Sequence, residues 1–316
     1  MSTSRVDMLA ARLTKNAARF AKHFAREQTD CYRVYDHDIP ELPFTVERYA
    51  DHAVVTEVPG RHARTDAEHA RFLDEVEDAV ARALAIPRAH VIAKRRVRRL
   101  AGQQWERDDE APVRAIVQER GARFHVALTG KIDTGIFLDH RNLRRRVEES
   151  VRGRSLLNLF CYTGAFTVCA AKGGAASTLS VDLSSTALAV LDENLALNGL
   201  TDRDKHVSTR ADCTAHLAVL ARAPRRFDWI VLDPPSASKS KAADGDLDVQ
   251  RDHVRLVEQC AALLAPGGTL AFSTNLRSFE LDAGLARRVP LIEITDETVP
   301  IDFRGRPHRT YLHSRT

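Results

Sequence analysis

The stretch from Leu156 to Asp182 constrains the fold more than any other part of this 316-residue chain. Leu156-Leu157-Asn158-Leu159-Phe160 reads as a buried strand, followed by a turn ending at Gly164 and a helix that opens through Ala165-Phe166-Thr167-Val168. Ser177 to Val181 reads as a second strand, and it ends on a carboxylate, Asp182. An acid at the tip of the second strand of a βαβ unit is placed to accept both ribose hydroxyls of a nucleoside cofactor. A dinucleotide binder would carry G-x-G-x-x-G in the turn so that a pyrophosphate could pass, whereas this turn holds one glycine. A cofactor with a nucleoside and no phosphate fits the combination, S-adenosylmethionine being the common one. An ordinary βαβ unit with an incidental acid fits it as well.

A second strand end adds weight to the first reading. Phe227 to Leu232 is a short apolar run closed by Asp233-Pro234-Pro235-Ser236. Two prolines cannot extend a parallel sheet, so the strand stops and the backbone turns stiffly away. Ligands of open α/β sheets sit at the carboxyl ends of strands, where Asp233, Pro234, Pro235 and Ser236 present a carboxylate and rigid carbonyls to a reacting centre. They are the candidate catalytic residues.

From Ser155 onward strands and helices alternate, which implies an α/β domain with a largely parallel sheet covered on both faces. Strands are expected to end near Arg210 and to run from Thr269 to Ser273, with a terminal hairpin around 291–294 and 309–313. Helices are expected over 186–198, stopped by Asn198-Gly199, and over 249–264, stopped by Pro266-Gly267-Gly268. Ahead of this lies a smaller α+β domain. It opens on a basic amphipathic helix with Leu9, Leu13, Ala17, Phe20 and Phe24 at helical spacing. A hairpin follows over 46–58, then a capping box at Thr65-Asp66-Ala67-Glu68 opening a helix stopped by Pro87, then strands over 90–97, 113–118 and 123–128. The division expected is 1–130 for an accessory, RNA-binding domain and 131–316 for the cofactor domain.

The net charge of +4 is mild, but the cations are clustered. Lys94-Arg95-Arg96-Val97-Arg98-Arg99, with Trp105 close behind, pairs phosphate contact with base stacking in the way RNA is bound. A charge-guarded edge strand would look the same. Arg141, Arg144, Arg145 and Arg146 open a helix where the two domains meet. Five cysteines without a C-x-x-C pair read as reduced thiols, not a disulfide frame or a zinc site, so no metal is expected. The charged N-terminus and the lack of a long apolar run lead to the expectation of a soluble, cytoplasmic protein without a membrane partner.

Asn158-Leu159-Phe160-Cys161-Tyr162-Thr163-Gly164 and Asp233-Pro234-Pro235-Ser236-Ala237-Ser238-Lys239-Ser240-Lys241 resemble class I methyltransferases that act on ribosomal RNA. The nearest likeness is the guanine-N7 half (RlmK) of the bifunctional bacterial enzyme RlmKL, which modifies 23S ribosomal RNA. Asp133 to Arg141, Asp248 to His253 and Cys31 to Asp36 follow that family's order across nearly the whole chain. The resemblance implies a Rossmann-like sheet of seven strands, the last antiparallel, with S-adenosylmethionine as cofactor and 23S ribosomal RNA as partner, naked or within a particle. The family's guanine-N2 half is missing here, so a separate RNA-binding partner or a homodimer is a further expectation.

Residue roles follow from the strand-end and charge readings, with the flap taken from the resemblance. Asp182, with Leu183 beside it, takes the ribose; Asp212 and Cys213 face the adenine; Asn158, Phe160, Tyr162, Thr163 and Gly164 line the methionine side; Asp233 and Pro234 lie at the sulfonium. Phe137, Leu138, Asp139 and Arg141 look like a flap, with Asp139 on the cofactor's amino group. The RNA side takes Lys94, Arg95, Arg96, Arg98, Trp105, Arg144, Ser238, Lys239, Lys241, Asn275 and Arg277. Similar enzymes carry an aromatic residue where this chain has Ala237, so another platform for an extruded base is needed, with Tyr162 and Phe279 the candidates.

The target atom can be argued from residue types. Methylating C5 of a pyrimidine needs a cysteine nucleophile, and this chain has Ser236 and Ser273-Thr274-Asn275 at the relevant strand tips. An exocyclic amine usually goes with an aromatic residue directly after Asp-Pro-Pro, where Ser236 stands. Guanine N7 has an in-plane lone pair and no proton, so alignment alone suffices. Methylation at another nucleobase and a cofactor-binding protein without turnover are the two alternatives.

Overall fold

The structure, a computed structural model, describes residues 5–58, 64–95, 112–130, 133–238 and 245–316. The chain divides into two compact units, one of Met1–Leu138 with Ile301–Arg304 and one of Asp139–Pro300 with Gly305–Thr316.

In the first unit, α1 (Arg5–Arg26) precedes β1 (Cys31–Asp36), β2 (Phe44–Tyr49), β3 (His52–Glu57), α2 (Asp66–Leu84), β4 (Val91–Arg95), β5 (Arg114–Glu119) and β6 (Ala122–Ala127). Leu9, Leu13, Phe20 and Phe24 form one stripe of α1 and are all buried, while Arg12, Lys15, Arg19 and Lys22 are exposed on the other faces. That stripe packs with Leu73, Val76 and Val80 of α2 and with Tyr32 and Val34 of β1 into one core. The capping box is present, with Thr65 Oγ1 accepting from Glu68 N–H and the Glu68 carboxylate accepting from Thr65 N–H. The sheet order is β1-β2-β3-β4, so β4, which carries Lys94, is an edge strand. β1 was not expected as a strand. Its burial runs almost unbroken, which erases the two-residue alternation that marks a half-exposed strand. Among the described residues β5 and β6 form a two-stranded sheet of their own, turning through Arg120 and Gly121 at positive φ.

The second unit contains α3 (Arg141–Ser150), β7 (Ser155–Leu159), α4 (Ala165–Lys172), β8 (Ser177–Asp182), α5 (Ser185–Leu197), β9 (His206–Arg210), α6 (Cys213–Arg222), β10 (Phe227–Leu232), β11 (Ala237–Ser238), β12 (Leu247–Asp248), α7 (Val249–Ala262), β13 (Leu264–Thr274), α8 (Ala283–Arg288), β14 (Ile292–Glu293), α9 (Thr295–Thr298) and β15 (Arg309–Ser314). The seven-stranded sheet has the order β14-β15-β13-β10-β7-β8-β9, parallel from β13 through β9, with β15 antiparallel to its neighbours. Each central strand is apolar on both faces. Leu156, Trp229, Val231 and Ala271 pack towards α3 and α4, and the alternate residues Leu157, Ile230, Leu232 and Phe272 pack with α6, α7 and α8.

One expected boundary shifts. α7 ends at Ala262, because Leu264 already pairs with Phe227 of β10. Pro266-Gly267-Gly268 then forms a bulge in β13 before pairing resumes at Thr269, so the Pro-Gly-Gly run interrupts a strand and does not stop a helix.

Register decides where the chemistry sits. Val181, Leu159, Leu232 and Phe272 lie in one row across four strands. One residue further on, Asp182 and Asp233 therefore flank Phe160 on the two sides of β7. β7 and β10 are also where the strand order reverses, so the two acids border the crevice in which open α/β sheets bind ligands.

Candidate active site

The turn after β7 is wound tightly. Phe160 and Tyr162 have φ of 55° and 50°, and Gly164 follows at 77°. For residues with a Cβ such backbone is strained, and residues held this way concentrate at binding sites. Gly164 is required by space as well, since a Cβ there would lie 2.4 Å from Leu191 Cγ on α5. Asn194, one turn further along α5, donates its side-chain amide to Thr163 O at 2.9 Å. Cys161 N–H donates to Val181 O, and Gly164 N–H to Cys161 O. Below the turn, Asn158 donates to Thr167 Oγ1 at 2.9 Å, and Thr167 meets Ser180 Oγ at 2.7 Å, all three buried. This chain of polar groups ties β7, α4 and β8 together.

Asp182 is held by two backbone amides. Its Oδ2 accepts from Tyr162 N–H and its Oδ1 from Ser184 N–H, each at 2.8 Å. Each carboxylate oxygen keeps further acceptor capacity after one such bond. The result is a half-buried, pre-oriented carboxylate that can receive a pair of hydroxyls.

On the other side of β7, Pro234 is buried and Pro235 exposed, so the diproline corner leaves the sheet abruptly. Ser236 Oγ donates to Asn275 Oδ1 at 2.5 Å, joining the tips of β10 and β13. Asp233 Oδ2 lies 3.5 Å from Nε2 of the buried His140. The His140 ring stacks on His308 at 4.4 Å and 18°, and His308 Nδ1 is 3.1 Å from Asp139 Oδ2. Burial pushes the His140 imidazole below its ordinary range, although Asp233 and Asp139 both pull it up. A second stacked pair, His52 with His90 at 3°, sits beside Asp51 in the first unit.

Comparison with known proteins identifies the family. Residues 56–296 match the family described as S-adenosylmethionine-dependent methyltransferase. The chain belongs to the S-adenosylmethionine-dependent methyltransferase family. Among its relatives, the ribosomal RNA large subunit methyltransferase K/L of Stutzerimonas stutzeri is 45% identical over 96% of this chain and 42% of its own length. The ribosomal RNA large subunit methyltransferase K of Neisseria meningitidis is 42% identical over 96% of this chain and 85% of its own length. The chain thus spans about two fifths of the K/L relatives it matches. The crystal structure of SMU.776 complexed with SAH shares the fold, with a TM-score of 0.76 at 23% identity over 99% of this chain and 83% of that one.

The fold brings Phe160, Tyr162, Thr163, Gly164, Asp182, Leu183 and Asp233 to one rim of the sheet, and Ser236 and Asn275 beside it. Arg277 is exposed and Ser238 half-exposed on the segments that follow. Phe137 and Leu138 close the first unit, while Asp139 and Arg141 open the second.

Several residues lie elsewhere than expected. Arg144 is 1% exposed, with its guanidinium 5.9 Å from the Phe166 ring, so it is a core residue and presents no cation to RNA. Its spacing could have shown this, because it lies three residues before Val147 on the apolar stripe of α3. Cys213 turns its thiol inward to Val181 O while accepting from Phe160 N–H, so its side chain supports the turn. Asp212 spends Oδ1 as the N-cap of α6. Asn158 commits its amide beneath the turn and is 2% exposed. Phe279 is fully buried among Phe272, His253 and Tyr311 and offers no platform for a base. Lys94 is half-buried and faces Glu47 and Asp133; burial lowers its pKa and the two acids oppose that. Of Arg95 only the backbone is described, and Arg96, Arg98, Trp105, Lys239 and Lys241 lie outside the described residues. His140 and His308 were missed, since nothing local in the sequence links positions so far apart.

Proposed function

We propose that this chain transfers the methyl group of S-adenosylmethionine to guanine N7 of large-subunit ribosomal RNA. The observation that carries the reading is the register placing Asp182 and Asp233 on either side of the tight, phosphate-free turn after β7. Asp182, fixed by the Tyr162 and Ser184 amides, suits a ribose diol. Tyr162, Thr163 and Gly164 border the methionyl side, with Asp139 close to the amino group and Asp212 towards the adenine. When bound, S-adenosylmethionine supplies an electrophilic methyl on a sulfonium. Asp233 and the carbonyls of the diproline corner supply fixed negative potential where positive charge passes to the purine. The RNA as substrate is supported by the names of the Stutzerimonas and Neisseria relatives.

Two features favour N7 over other atoms. All five cysteines are buried, and burial raises the Cys161, Cys213 and Cys260 thiols, so no thiolate is offered to a pyrimidine C6. Ser236, committed to Asn275, gives no aromatic surface against which an exocyclic amine could be turned. Guanine N7 needs only in-line placement against the methyl.

The test is transfer of tritiated methyl from S-adenosylmethionine to unmodified large-subunit RNA, followed by digestion to nucleosides. Label in 7-methylguanosine is expected. Label in 5-methylcytidine or in an N2-methylated guanosine, or none in the RNA, overturns the proposal.

A further inference from the structure

We infer that His140 is a positioning residue for Asp233: it holds the catalytic carboxylate by an Nε2–H donor and, while neutral, preserves its negative charge. The inference rests on the methyl-transfer reading of the same crevice and concerns a residue that lies outside the diproline motif.

The geometry is confined to the second unit. A carboxylate can only accept, so Asp233 Oδ2, 3.5 Å from Nε2, places the proton of a neutral His140 on that nitrogen. The distance is longer than an ideal hydrogen bond, as catalytic contacts without substrate often are. The other nitrogen, Nδ1, is buried and has no hydrogen-bond partner among the described residues. The ring is packed against His308, stacked at 4.4 Å, and against Phe166, tilted by 58° at 5.9 Å. His308 is itself anchored through Asp139 at Nδ1 and Thr298 Oγ1 at Nε2, each 3.1 Å away. Two stacked imidazoles therefore lie between the carboxylates of Asp139 and Asp233.

The charged groups facing His140 are Asp233 after β10, Asp139 in the turn before α3, His308 before β15 and Arg144 on α3. Desolvation outweighs the two acids, so the ring is neutral at pH 7. Below its titration an imidazolium would stand beside Asp233 and cancel the charge that favours transfer to the purine. Methyl transfer should then fall on acidification, with a midpoint below the ordinary imidazole range of about 6.5.

Three measurements on the full chain decide the matter. His140→Phe keeps a planar aromatic ring but loses the donor. It should lower kcat roughly 10- to 100-fold, the effect of one hydrogen bond to a charged group, with KM for cofactor and RNA changed less than about threefold. His140→Gln restores a donor that cannot titrate. It should recover most of kcat and abolish the acid limb of the pH profile. Without ligand, the NMR titration of His140 in histidine-labelled protein should move to lower pH in Asp233→Asn, because a charge that favours the imidazolium is gone. A wild-type kcat in the Phe variant, an unchanged acid limb in the Gln variant, or a His140 titration indifferent to Asp233→Asn would overturn the inference. The identity of the methylated nucleoside bears only on the methyl-acceptor reading, so the two ideas fail separately.

Discussion

Gly164→Ala is the smallest change that should dismantle the cofactor turn. The new Cβ would lie 2.4 Å from Leu191 Cγ, 2.7 Å from Cδ1 and 3.1 Å from Cβ. Leu191 is 1% exposed, and its Cγ is a branch point, so it cannot swing aside as a flexible chain end could. Left-handed backbone at φ 77° adds roughly 1–2 kcal/mol for a residue with a Cβ. Overpacking of a filled core adds about 1–3 kcal/mol, giving a loss of about 2–5 kcal/mol. Urea unfolding followed by circular dichroism measures the stability, and calorimetric titration with S-adenosylhomocysteine measures the turn. Leu191→Ala alone should cost about 2–5 kcal/mol through the cavity it leaves. In the double variant the Cγ and Cδ1 clashes vanish and only the 3.1 Å approach to Cβ remains, so the two losses should fall short of additivity by about 1–3 kcal/mol. A Gly164→Ala protein within about 0.5 kcal/mol of wild type with unchanged affinity would refute the reasoning.

Three other outcomes follow from the same structure. Thr167→Val strands the Asn158 amide and the Ser180 hydroxyl in the core, and should destabilise by about 2–4 kcal/mol in chemical denaturation; a change below about 0.5 kcal/mol would contradict the buried network. Native protein should show no fast-reacting thiol to an aromatic disulfide reagent at neutral pH, and all five in denaturant; one thiol titrating within seconds in the folded state would sink the argument against carbon methylation. Stability should fall as pH drops below about 6.5, because burial lowers the His140, His206 and His216 pKa values and the unfolded chain takes up those protons first; a flat melting temperature between pH 7.5 and 5.5 would count against it.

The βαβ core was legible because its signals are local. Apolar strands between Ser155 and Leu232, one glycine at a turn and acids at strand tips each follow from neighbours in sequence. The Thr65–Glu68 box and the αL stop at Ala85 before Pro87 are equally local. What escaped was set by tertiary packing. Buried on most positions, β1 carries no alternation, and the bulge of β13 mimics a helix stop. Phe279 looks like a surface candidate until the core closes round it, whereas Arg144 was already marked by its spacing from Val147 on α3. The His140–His308 stack joins residues from the start and the end of the second unit, and only the folded sheet brings them together.

The most direct test of the central claim is a calorimetric titration of wild type and Asp182→Asn with S-adenosylhomocysteine, with NAD titrated alongside. One mole bound per mole of wild type is expected, with binding weakened roughly 10- to 100-fold in the variant, which loses the charge that receives the ribose diol. NAD should give no heat. Equal affinity in both proteins, or a nicotinamide nucleotide binding in preference, would contradict the account.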